Sequence, residues 1–163
     1  MKSKKIATYG LLVALAFILS YVETLIPLPV PIPGMKLGLA NLVVITAIYS
    51  MGYKEAFVLS IIRIVLVGFT FGNLSTMIYS LAGGLLSYTM MVLSKKSKLF
   101  SIVGVSIIGG VSHNIGQIIV AILVINNMNL AYYLPFLLIT GAVTGTLIGI
   151  LGSMIVKRLN KIV

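Results

Sequence analysis

Residues 1–23 read MKSKKIATYGLLVALAFILSYVE. Lysines at 2, 4 and 5 precede an apolar run from Ile6 to Thr24. A basic start before an apolar stretch describes either a secretory leader or a first membrane helix. A leader has an apolar core of only about 7–15 residues, followed by a cleavage site and a soluble domain. This run is longer, and the chain beyond it is equally apolar. The expectation is therefore a retained first span, and that choice sets the class of the whole fold.

Composition agrees. Of the 163 residues 60% are hydrophobic, the mean hydropathy is +1.18 and 9% are charged. Soluble domains carry about 25% charged residues. Apolar runs near 20 residues recur, the length a helix needs to cross a layer of about 30 Å. An all-α integral membrane protein is expected, a single membrane domain over 1–163 with six transmembrane helices. The expected spans are 6–24, 37–51, 55–69, 74–93, 100–125 and 131–156. Spans two and three are short enough to need little tilt or shielding by protein. The breaks GYKE, FGN, SKKSK and NNMN all have turn chemistry.

The net charge is +10. The cations sit in short connections and are not interleaved with aromatics on one face, so nucleic acid is not the expected partner. Lys2, Lys4, Lys5, Lys54, Lys95, Lys96, Lys98, Lys157, Arg158 and Lys161 fall on one side of the six-span arrangement. These are ten of the 12 cations. Lys36 falls on the other side and Arg63 inside span three. The positive-inside rule then puts both termini in the cytoplasm of a multi-pass cell-membrane protein, surrounded by membrane lipid. There is no cysteine, so disulfides are excluded.

The first outer connection, 25–36, holds prolines at 27, 29, 31 and 33 before Gly34 and Lys36. Alternating prolines favour a stiff extended rod that needs no internal hydrogen bonds. It could merely end one helix and start the next. It could also cap a site, through Pro31, Pro33, Gly34 and Lys36.

Polar groups in the spans supply the candidate site. Arg63 lies near mid-depth, where an isolated charge is costly and wants a partner or a wet cavity. Glu23 is a candidate partner, whereas Glu55 lies too near the cytoplasmic end to neutralise it directly; a structural ion pair and a ligand-binding arginine are equally open. GGVSHNIGQ (109–117) places His113, Asn114 and Gln117 within about 100° around one helix, a row read as a binding face. Asn41 and Asn73 near the outer mouth could add donors and acceptors. Arg63, His113 and Lys36 favour an anionic or strongly polar head group. Tyr132 and Tyr133 fit an aromatic belt. Span six carries GAVTGTLIG (141–149), a stripe of Gly141, Gly145 and Gly149 suited to close helix packing.

Several chemistries are missing. There is no phosphate-binding G-x-x-x-x-G-K-[ST] loop. One histidine without cysteine or aspartate makes no ordinary zinc site. Two glutamates at opposite ends of the spans form no acid–base pair. The chain is expected to be no enzyme and to carry no cofactor or metal.

LSYVETLIP, PGMKLGLAN, YSLAGGLLS and GGVSHNIGQ, in this order, resemble the Gx transporter family, whose members are often labelled heptaprenyl diphosphate synthase component I. That family looks related to the substrate-binding S components of energy-coupling-factor (ECF) transporters. The resemblance implies a six-helix protein that captures a small-molecule substrate from outside. Its partners would be a transmembrane coupling subunit and two cytoplasmic ATPases. It also implies an outer loop that caps the substrate, here Pro27–Lys36. A docking face of small residues on the first helix is implied too. Paired alanines four apart are usual there; Gly10 and Ala14 stand in their place, with Ala7 and Ala16 nearby. The synthase label implies something different, since prenyl diphosphate synthases hold Mg²⁺ through aspartate-rich motifs. Without aspartate, the chain could only be a membrane accessory to a separate, soluble prenyl diphosphate synthase.

Overall fold

A computed structural model describes residues 2–26 and 36–162, with backbone alone for 2–5 and 160–162. The rod residues Pro31, Pro33 and Gly34 lie outside the described residues. Among those described the regular structure is helical: α1 (Lys2–Thr24), α2 (Asn41–Ser50), α3 (Tyr53–Phe71), α4 (Leu74–Ser97), α5 (Ile102–Ile125) and α6 (Leu134–Ile162), with a 3₁₀ turn at Met128–Tyr133 before α6. The helix ends follow local chemistry. Asn73 caps α4 by accepting from Thr76 N at 2.9 Å, and Ser101 caps α5 by accepting from Gly104 N at 3.2 Å. Lys98 and Asn126 end α4 and α5 at φ 59° and 53°, in the left-handed region that stops a helix.

Among the described residues four helical stretches are long and apolar enough to cross a membrane: Ile6–Thr24, Leu74–Ser97, Ile102–Ile125 and Met128–Leu159. The expected second span, 37–51, differs. Only Asn41–Ser50 is helical, about 15 Å at 1.5 Å per residue, half the apolar thickness. Residues 36–38 are irregular and 39–40 turn into the helix. Eight of the ten α2 residues are buried, as befits a helix apolar on every side. Irregular backbone is tolerated at membrane depth only when shielded by protein or lining a cavity. α3 is 19 residues long but carries Lys54, Glu55 and Arg63. Spans four and six run further than expected, to Ser97 and Ile162.

Helices α4, α5 and α6 pack through glycines. A Cβ on Gly145 would come within 2.7 Å of Ile107 Cα, and one on Gly149 within 2.7 Å of Val103 Cα. Gly110 meets the Gly141 carbonyl, and Gly116 lies 2.8 Å from the Ala82 carbonyl by the same construction. The stripe expected on span six thus seats α6 on α5, as close-packed small residues do in lipid. Helix α1 is looser: 22% of its apolar window is buried, against 50% for α5. Phe71 of α3 holds it by stacking on Phe17 and Tyr21, centroids 4.7 and 5.3 Å away.

At the end of the bundle that carries the termini, Lys95 Nζ donates to the Ile48 carbonyl at 2.6 Å and sits 4.3 Å from the Tyr49 ring centroid. This cation caps the C-terminus of α2. Tyr88 Oη donates to the Tyr53 carbonyl at 2.8 Å beside it.

Candidate ligand-binding site

The bundle holds a cavity walled by five parts of the chain. Ser20 and Glu23 come from α1, Lys36 and Gly38 from the descending segment, and Arg63, Ile64, Val67 and Gly68 from α3. Thr76 and Ser80 of α4 and His113 of α5 complete it. It lies towards the end opposite the termini, where α1 and α3 finish and α4 begins. Its volume for the centres of water-sized spheres is about 20 Å³, enough for a water but not for a nutrient.

The descending segment 36–39 is fastened by side chains of other helices. Glu23 Oε1 accepts from the Gly38 and Leu39 amides, the latter at 2.8 Å. These N–H groups lead into α2, whose N-terminal turn favours a carboxylate. Gln117 Oε1 accepts from Lys36 N at 3.3 Å, and Thr144 Oγ1 stands 3.5 Å from the Leu37 carbonyl. Gly38 has φ +86°, and a Cβ there would press Asn41 Nδ2 at 3.0 Å and His113 Cδ2 at 3.2 Å. Only glycine suits both its backbone and its surroundings.

The polar row of α5 divides in three. His113, 2% exposed, faces the cavity. Gln117 stands behind it, its Nε2 donating to His113 Nε2 at 3.1 Å. Because Gln117 Oε1 already accepts from Lys36 N, its amide orientation is set and His113 Nε2 must be the acceptor. The network therefore assigns the imidazole proton to Nδ1. Asn114 turns the other way, donating to the Leu137 carbonyl of α6 at 2.7 Å. Its i, i+1 position beside His113 puts it on the glycine seam, a divergence that the 100° step predicts once neighbours crowd both sides.

Arg63, 6% exposed, points into the cavity and its charge is attracted by Glu23. Glu55 instead occupies the first turn of α3, where a carboxylate suits the helix dipole. Asn41 donates to Ser87 Oγ at 3.4 Å behind Gly38 and is not part of the wall. Asn73 is an exposed cap of α4, one step removed through its 3.0 Å bond from Thr76 Oγ1. Lys36, in the connection, has its pKa lowered by burial, with Glu23 opposing and Arg63 reinforcing the shift.

Ser20, Gly38, Thr76 and Ser80 were not singled out from sequence. Ser20 precedes Glu23 by three residues and Thr76 precedes Ser80 by four, so each pair shares a helix face. Those spacings were the available signal. On α1, Ala7, Gly10 and Ala14 are all exposed, and nothing lies within 4 Å of a Cβ on Gly10.

The family model described as heptaprenyl diphosphate synthase component I matches residues 12–155. The chain belongs to this family. The matched range includes every wall residue of the cavity. No curated protein and no solved structure matches the chain. With its apolar helices, this family member is a membrane protein.

Proposed function

We propose that the chain is the substrate-binding, S-component-like subunit of an energy-coupling-factor type importer in the cell membrane. It is multi-pass, with both termini cytoplasmic, and takes a small molecule from the outer side. One observation carries this reading: a cavity lined by buried Glu23, Arg63 and His113 lies at the N-terminal end of a short helix that starts within the bundle. Half-helices whose N-termini meet a cavity are a device of membrane transporters. Apolar packing has no use for such groups, which are expensive in a membrane unless they act.

No energy source is visible in the sequence, so a transmembrane coupling subunit and two ATPases supply it. The exposed Ala7, Gly10 and Ala14 face of α1 is the docking surface. The chain is a binding subunit, not an enzyme, and needs no cofactor. The cavity as it stands holds about one water, so a substrate needs it to widen. The family description favours a second reading, a non-catalytic membrane accessory in polyprenyl diphosphate synthesis.

Affinity purification of the full chain from its native membrane, with mass spectrometry of bound proteins, separates the two. Paired ATPases with a membrane subunit are expected, and Gly10→Leu with Ala14→Leu should abolish their capture. Recovery of a soluble prenyl synthase in their place would overturn the importer reading.

A further inference from the structure

We propose that the cavity binds an anionic oxygen group, a carboxylate or a phosphate, between the Arg63 guanidinium and the Lys36 ammonium. The inference deepens the substrate-binding reading and names the chemistry of its ligand. Among the described residues one buried nitrogen of the wall, Arg63 Nε, has no hydrogen-bond partner, while His113 Nδ1 lies against the Gly83 backbone of α4. A buried polar atom left unpaired is costly and calls for an explanation. Arg63 Nε is a donor, since an arginine never accepts.

Acceptors are scarce by comparison. The carboxylate of Glu23 is engaged through Oε1 with two amides of the descending segment. Thr76 Oγ1 is bonded to Asn73 Oδ1. Among the wall residues two cations face one carboxylate, so a further cation would meet like charge. A neutral amide would leave the excess cation unbalanced. An anionic oxygen group is acceptor-only and satisfies the orphan Arg63 donor while balancing the excess charge. The 20 Å³ volume limits what fits now to the tip of a ligand, whose body lies towards the mouth.

The test is equilibrium dialysis of the full chain in detergent against [³²P]phosphate and, separately, [¹⁴C]acetate at constant ionic strength. Saturable binding near one per chain is expected for at least one probe. It should weaken at least tenfold in both Arg63→Gln and Lys36→Gln and stay unchanged in Lys54→Gln, at the other end of α3. Phosphate alone identifies a phosphate ligand, acetate alone a carboxylate. Lys36→Gln, on a connection, keeps the test decisive if Arg63→Gln does not fold. Absence of saturation with either probe, or undiminished binding in Lys36→Gln, overturns the proposal. Capture of ATPases without anion binding would overturn this inference alone. Anion binding without such partners would overturn the importer reading alone.

Discussion

Gly38 shows how much of the site rests on single side chains. Alanine at φ +86° carries a left-handed backbone penalty of about 1–2 kcal/mol and would also push on His113. Gly38→Ala should lower the thermal unfolding midpoint in detergent; an unchanged midpoint would mean that the segment repacks freely. The network on the other side of His113 can be read directly, because the chain has one histidine. ¹⁵N spectra of histidine-labelled protein should show the Nδ1–H tautomer, and Gln117→Leu should release it towards Nε2–H. That substitution also strands Lys36 N, at a cost of about 1–3 kcal/mol. An Nε2–H signal in the parent protein would refute the assigned network. Arg63, His113 and Lys36 were legible in the sequence as costly polar groups in an apolar run. The partition of Asn114 and Gln117 was not, because it depends on whether α6 or the 36–39 segment lies against each.

Among the elements, α2 departs most from what sequence promised. LGLANLVVITAIYSM carries no charge and is mostly apolar, so hydropathy alone extends the span to Leu37. The helix starts at Asn41 because Glu23 and Gln117 side chains, distant in sequence, take up the backbone groups before it. Long-range capping leaves no local pattern to read. The glycine stripe of α6 was readable from its four-residue period, since close packing in lipid rewards small residues in register. Gly145→Leu should therefore force α6 off α5 and destabilise the protein by about 1–3 kcal/mol or more. Gly10→Ala, with open space around it, should be neutral or gain up to about 1 kcal/mol of helix propensity. Equal losses at both positions would contradict the packing described.

At the scale of the molecule, orientation is the open quantity with the simplest check. The absence of native cysteine gives a clean background for Ser97→Cys and Asn127→Cys, both at exposed positions. In intact cells an impermeant thiol reagent should label position 127 and spare position 97; the opposite pattern would invert the bundle. Helix α1, with its sparse burial, stands apart from the glycine-seated α4, α5 and α6, and that contrast distributes stiffness unevenly. Three helices form a plate with little give, whereas the first is held by Leu12 and Ala16, by its ring contacts with Phe71 and by the Glu23 bonds. Both Ser20 and Glu23 ride on that compliant member. A force applied to α1, from a docked protein or from a thicker bilayer, is delivered to the cavity wall without deforming the plate. The ligand chamber is then coupled to its surroundings through a single lever.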